Sequence, residues 1–584
     1  MSDTIPGAPA APQSTRQQRR ALERQRRKDT ARRWAHGLRL SSGTLAAVGA
    51  VGAFLAAGEQ ASAATFTVSN LSDGPVANPG DLPGALRQAL FDANGTPGPD
   101  VIAFQAGLTG TITLTAGQLP VTDSVDIQGP GAAALAVSGG NSSRAFYLYQ
   151  SAAVLDVTIS GLTIEGGSAG GDGAGILDQG ENLTLDGVVL SGSQAGGNGG
   201  GLAFLGQNAA TLSVERSTFS GNNASGEGGG IFASFAAGLT LRDSTISGNS
   251  ATSNGGGTAF YFSGGSIENC TLAGNTTAAA GGGAALLAAN VSFEHATVTG
   301  NSASTGGGIY DRQVAGVLIA NSIVADNDAA VDPDLANDSD GVFVVSYSLV
   351  RTPGGSTIVD NGGSLFNQDP QLGPLQNNGG PTLTEKPALA SPVVNAGDPA
   401  FTPPPADDQR GLPRISGGRT DMGSVELQVG TLQFSLVAYS VNENGGTATI
   451  TVTRTGGSEG AVAVDFATSD GTAMSPADYL PASGTLNWAD GDATPMTFQV
   501  TIVDDMLDEP DETVNLTLSN AVGAGVGAPG TAVLRIVDDD LPIAVATIPT
   551  LGGAGEATLA AALGAAGYLL LRRRKATSQE SNGA

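Results

Sequence analysis

The sequence predicts an all-β chain: a right-handed parallel β-helix solenoid followed by an antiparallel β-sandwich. Two observations predict it. A triple-glycine mark begins at Gly199, Gly228, Gly255, Gly281 and Gly306, in steps of 29, 27, 26 and 25 residues. A second mark precedes the later runs as Ser220-Gly221-Asn222, Ser247-Gly248-Asn249, Ala273-Gly274-Asn275 and Thr299-Gly300-Asn301. Self-similarity at such a period means stacked units, each burying its apolar face against its neighbours. From Leu432 the marks stop and long period-two strands begin, with Ala448, Ile450 and Val452 alternating with Thr447, Thr449, Thr451 and Thr453. That alternation, with turn signals between the runs, is the signature of a sandwich.

Composition narrows the function. The 584 residues are too many for one domain. Gly accounts for 87 of them without a Gly-X-Y period, which excludes collagen. Between Ala64 and Leu571 there are 12 basic and 49 acidic residues. A surface so acidic repels nucleic acid and attracts cations, so no nucleic-acid partner is expected. Cys270 is the only cysteine, which rules out an intrachain disulfide and a multi-thiolate metal site. Its setting, Asn269-Cys270-Thr271-Leu272, is that of a small buried hydrophobe.

Residues 1–63 read as a signal peptide with an extended basic start. Arg16 to Arg39 holds nine Arg and one Lys, an apolar core follows from Leu45 to Ala57, and Ala61-Ser62-Ala63 supplies a cleavage pattern. Residues 64–135 read as the N-terminal cap of the solenoid. Within it, Leu86, Ala89 and Leu90 share a helical face, and Asp81 is the expected N-cap. Residues 136–345 carry the repeats. Earlier marks at Gly166 and Gly192, and a later one at Asp326-Asn327, bring the expectation to about seven coils, with glycines and asparagines alike taking positive-φ turn positions. In residues 346–428 the period fades, and this stretch is expected to complete or cap the β-helix.

Residues 429–541 form the sandwich, and its acids are clustered. Asp504-Asp505 ends one strand, Glu509 and Glu512 follow in the next turn, Asp538-Asp539-Asp540 ends the last strand, and Glu443 and Asp478 lie in other loops. This many hard oxygen donors suit Ca²⁺, which takes six to eight oxygens, whereas Zn²⁺ would call for His or Cys. Residues 542–584 hold Ile548-Pro549-Thr550-Leu551, an apolar run from Ala557 to Leu571 and a terminal Arg572-Arg573-Arg574-Lys575 cluster. The run is short for a span, which needs about 20 residues.

Three resemblances extend this reading. The tail resembles the IPTL type of bacterial C-terminal sorting signal. That implies a Gram-negative source, an exosortase-like processing enzyme as partner, membrane contact through the tail, and delivery to the cell surface. The strings Leu86-Arg87-Gln88-Ala89, Gln376-Asn377-Asn378-Gly379-Gly380, Asp408-Gln409-Arg410-Gly411 and Asp421-Met422-Gly423-Ser424 resemble the choice-of-anchor Q bacterial surface β-helix proteins. Val441-x-Glu443, Thr468-Ser469-Asp470-Gly471-Thr472-Ala473, Asp478-Tyr479, Asp504-Asp505-x-x-x-Glu509-x-x-Glu512 and Asp538-Asp539-Asp540 resemble the Calx-β domain, an immunoglobulin-like sandwich. This last resemblance implies that Glu443, Asp478, Asp504, Asp505, Glu509, Glu512, Asp538, Asp539 and Asp540 fall on calcium ligands.

No catalytic residues are expected. The Asn-Thr-Asp, Asp-Asp, Gly-His-Gly and Arg-Ile-Lys set of polygalacturonase-like β-helices is absent, and His295 stands in Glu294-His295-Ala296. The sequence therefore describes an exported, non-enzymatic surface protein whose rod displays or adheres to a glycan or protein ligand. In this reading Ca²⁺ in the sandwich freezes its junction with the rod. A secreted polysaccharide-binding or -cleaving enzyme and a structural envelope protein are the alternatives.

Overall fold

The computed structural model describes residues 63–542, apart from 150–152, 208, 314, 339–340 and 417. The expected signal peptide and sorting tail, save residues 63 and 542, lie outside the described residues. Among the described residues, no helix is long and apolar enough to cross a membrane.

One coil shows how the repeat folds. Thr211–Glu215, Thr218–Ser220, Asn223–Ala224 and Ile231–Ser234 each join a different sheet, and the chain then returns as Gly238–Arg242, parallel to Thr211–Glu215. Repetition builds parallel sheets of 12, 11, 9 and 7 strands. Residues alternate in and out along each strand, so Leu212 stacks on Leu239 and Val214 on Leu241, all buried. Cys270 is buried in the same core.

The solenoid is longer than the seven marks. Thr65–Val68, Asp100–Phe104 and Val125–Gln128 already pair in the 12-stranded sheet, within the stretch expected to be a cap. The helix Leu86–Asn94 buries Leu86, Ala89, Leu90 and Ala93 in the same core. Asp81 does not cap it. Gly84, at φ +75°, turns the chain between them, the N-cap is Ala85, and the Asp81 carboxylate instead accepts the Ala77 and Asn78 N–H groups at 2.8 and 2.7 Å.

The two repeat marks serve different ends. Gly228 has φ +65°, and a Cβ there would meet the Ile231 carbonyl oxygen at 2.3 Å. At Gly229 it would meet the Gly256 oxygen of the next coil at 2.4 Å. The asparagines of the marks depart from the positive-φ expectation, whereas Asn141, Asn269 and Asn321 meet it. Asn222, Asn249, Asn275 and Asn301 have ordinary φ and point into the core, while Gly221, Gly248, Gly274 and Gly300 take the turns. Asn249 Nδ2 donates to Asn275 Oδ1 at 2.9 Å and to the Phe219 carbonyl at 2.9 Å, and the pattern repeats along the stack. A buried amide must be paired, and only an equivalent amide in each coil pairs them all.

After Leu365–Phe366 the chain turns back along the outside of the 11-stranded sheet. Thr245 Oγ1 donates to the Leu383 carbonyl at 2.6 Å, and Thr271 Oγ1 to Gln409 Oε1 at 2.7 Å. The Ser424 N–H donates to Thr297 Oγ1 at 3.0 Å. Val393 and Met422 of this strap pack on Ile323 and Leu349.

The sandwich has one sheet of Met496–Thr501, Thr447–Gly457, Val429–Phe434 and Gly525–Val526. The other holds Ala438–Asn442, Thr531–Val537, Glu512–Val522, Val462–Asp470 and Ser483–Trp488. Phe434, Ile450, Val464, Trp488, Val514 and Leu534 fill the space between them. Pairing is mostly antiparallel, as expected, but Ala438–Asn442 lies parallel to Thr531–Val537, because the first stretch of chain crosses from one sheet to the other.

Candidate metal centre

Loop chemistry places each acid. Thr447–Gly457 starts beside Glu443, Val462–Asp470 leads into the Asp478 loop, Glu512–Val522 starts at Glu512, and Thr531–Val537 leads into Asp538. One end of the sandwich therefore collects all four loops. The Asp478 loop is pinned by the Tyr479 hydroxyl, which donates to Asp470 at 2.7 Å, and by the Met474 N–H, which donates to Asp478 at 2.6 Å. Asp470 is a positioning residue that sequence reasoning did not single out. Its sign was the buried tyrosine nine positions on.

Two triads result. Glu443, Asp538 and Asp540 form one, and Asp478, Glu509 and Glu512 the other. In each, one oxygen per residue lies within 4.8 Å of the others. Three oxygens around a single Ca²⁺ at 2.3–2.6 Å stand at most about 5 Å apart, so the spacing fits. A cavity of about 10 Å³, lined by Glu443, Asp478, Glu509, Pro510, Glu512, Ile536 and Asp538, touches both triads. That is room for one water or ion.

The other three predicted residues sit around these triads rather than in them. Asp505 accepts the Leu507 N–H at 2.7 Å, and its own N–H is bonded to Glu443. Asp504 lies close enough to Asp540 to raise its pKa. The Asp539 carboxylate is held by the backbone N–H and side-chain amide of Asn444.

The electrostatics suit a cation. Among the described residues none of the nine acids forms an ion pair; the nearby Arg535 pairs with Asp511. Partial burial, a side-chain hydrogen bond with Asp478, and the charges of Asp478, Glu509 and Glu443 push Glu512 from the ordinary 4.5 up to about 7. Burial with Asp505, Asp538 and Asp540 raises Glu443. Desolvation and like charge also raise Glu509 and Asp540. A multivalent cation would replace this repulsion with attraction. The described histidine and the cysteine lie in the solenoid, so the donor set is all oxygen.

Residues 426–540 match the Calx-beta domain. Residues 144–324 match the right handed beta helix region. The chain resembles sodium/calcium exchanger 1 of Rattus norvegicus, with 34% identity over 146 residues, 22% of this chain and 15% of that protein. Sodium/calcium exchanger Calx of Drosophila melanogaster is 32% identical over 103 residues, 18% of this chain and 11% of that protein. The chain thus spans 15% or less of the length of these relatives. Among solved structures, the apo-form Calx CBD1 domain aligns at 31% identity and TM-score 0.18, covering 19% of this chain and 97% of that one.

The Calx-beta module joins the rod at its other end, which corrects the expectation that cation binding freezes the junction. Thr447–Gly457 leaves the acid end and, eleven residues on, reaches the turn carrying Glu459. At about 3.3 Å per residue that is a separation of roughly 35 Å. Glu459 accepts hydrogen bonds from the Gln428 N–H at 2.7 Å, Arg410 at 3.0 Å and Lys386 at 3.2 Å. Arg410 also pairs with buried Asp408 at 2.9 Å. The junction is closed by its own ion pairs. Glu459 was missed in the sequence because a single acid in a Gly/Ser turn carries no pattern.

Proposed function

We propose that this chain is an exported, non-enzymatic surface protein in which a β-helix rod displays or adheres to a ligand, and the Calx-beta module binds Ca²⁺. The observation that carries the calcium reading is the pair of carboxylate triads gathered from four loops without a neutralising base. Ca²⁺ orders the end of the module from which the chain continues toward residues 543–584, rather than the rod junction. The basic start, the Ala61-Ser62-Ala63 pattern and the Ile548-Pro549-Thr550-Leu551 tail support export, surface delivery and an exosortase-like partner.

Support for a non-enzymatic rod comes from its bases. His295 is fully buried under the strap, edge-on to Phe401 at 5.0 Å, and burial holds its imidazole well below the usual range. Arg216 pairs with Asp186 at 2.6 Å and Arg242 with Glu268 at 3.0 Å. Such groups are structural rather than poised for proton transfer. The test is thermal unfolding of the full chain with chelator and with millimolar Ca²⁺, together with antibody labelling of intact cells. A calcium-dependent rise in Tm and surface labelling are expected; labelling only after cell lysis would overturn surface display.

A further inference from the structure

The acid end of the module also carries large apolar side chains that stand in solvent. Met506 is 86% exposed and Leu541 85%, with Leu507, Met474 and Leu480 also exposed. Each belongs to a loop that carries a triad or neighbouring acid. The Met474 N–H donates to Asp478, Leu480 follows it by two residues, Met506 and Leu507 follow Asp505, and Leu541 follows Asp540. Solvent-facing methionine and leucine lose favourable burial energy unless something covers them.

Charge decides what can cover them. Without cations, the carboxylates beside these side chains repel an anionic surface. With Ca²⁺ in the triads most of their charge is offset, and a calcium ion with open coordination positions would take phosphate oxygens as ligands. The chain also leaves the module here. Leu541 precedes by 16 residues the apolar run that starts at Ala557. An extended link of that length reaches about 55 Å at most, so a bilayer holding that run lies within reach of this end.

We infer that the loop tips bearing Met474, Leu480, Met506, Leu507 and Leu541 form a calcium-dependent docking surface for an anionic phospholipid bilayer. This rests on the calcium reading above. The carboxylate triads would hold the calcium, whose charge would draw headgroup phosphates to the loops while the apolar tips enter the interface. The opposite end of the module stays with the strap on the side of the rod, so docking holds the rod off the bilayer by the length of the module.

The experiment uses the full chain and vesicles of phosphatidylglycerol and phosphatidylcholine. Co-sedimentation is expected to rise at least tenfold with Ca²⁺ over chelator, and not with phosphatidylcholine alone. Any insertion by the tail is independent of Ca²⁺, so the increment is the readout. Met506→Cys carrying an environment-sensitive dye reports the site, since Cys270 is buried and spared by the label. Its emission should shift to the blue only with anionic vesicles and Ca²⁺. A Met506→Ser, Leu507→Ser variant should lose the tenfold increment and keep the Ca²⁺-induced rise in Tm. A retained rise in Tm with no vesicle increment overturns docking and leaves calcium binding standing. No rise and no increment overturns both. Calcium-dependent self-association without vesicles makes a second copy of the chain the occupant, and overturns the bilayer.

Discussion

Inside the solenoid the amides of Asn222, Asn249, Asn275 and Asn301 are each bonded to the next, so each of these amides is answered by the neighbouring coil. At the far end of the module Glu443, Glu509, Glu512 and Asp540 face one another, and their protons are held more tightly for it. The strap adds a third arrangement. Asp421 accepts the Asn395 and Leu427 N–H groups, and Glu426 accepts those of Ser416 and Asp421, beside buried Arg414. Polar groups that the chain satisfies itself are architecture. Those left repelling one another are where a partner from solution belongs.

The contrast can be broken from either side. The largest effect is expected from Asn275→Ala, which strips partners from Asn249, Asn301 and the Ile246 carbonyl. Leaving buried amides unpaired costs about 3 kcal/mol, read as a lower urea midpoint, with Ca²⁺ binding unchanged. An equal loss of Ca²⁺ binding would join the two regions that the fold separates. Next is Ca²⁺ itself, which at 100-fold over its Kd should stabilise the module by about 2.7 kcal/mol. Glu459→Gln should follow, loosening the junction through Arg410 and Lys386 by about 1–3 kcal/mol. Small-angle scattering should show a wider spread of rod–module angles in that variant, and the same spread with or without Ca²⁺.

The smallest effect is the most diagnostic in sign. Glu512→Gln removes repulsion, so it should raise the cation-free Tm while weakening Ca²⁺ binding. A group whose folded pKa is raised to about 7 has no penalty below its unfolded value near 4.5, and the penalty grows as pH rises through 7. The cation-free Tm of the parent should therefore fall relative to Glu512→Gln between pH 5 and 8. Burial also raises Asp421 to about 6, so only the difference between the two proteins isolates Glu512. Parallel Tm curves over this range would remove Glu512 from the repelling cluster.

Much of the fold was legible because it repeats. A glycine that must take positive φ, followed by one that must admit the neighbouring coil, recurs from coil to coil, so Gly199-Gly200, Gly228-Gly229 and Gly255-Gly256 give the coil directly. The asparagines were visible as a pattern but not as a ladder, because turn and core positions both select Asn and only burial separates them. The solenoid's ends escaped because Thr65–Val68 and Val125–Gln128 carry strands without the glycine marks. At the site, loop position alone grouped the nine acids. Which six converge depends on side-chain direction, and Asp539 turning to Asn444 has no counterpart in spacing. The strap's path and Glu459 depend on contacts far apart in the chain, such as Thr245 with Leu383, which no local pattern encodes.

The most direct test of the central claim, that the acid end of the module is a cation site, is calorimetric titration of Ca²⁺ into the chelated full chain. The same titration is run on a Glu443→Gln, Glu512→Gln variant, one change in each triad. Saturable heat in the parent, lost in the variant, is the expected result. No heat in the parent, with an unchanged Tm, would contradict it and leave the module a spacer whose acids only solvate its loops.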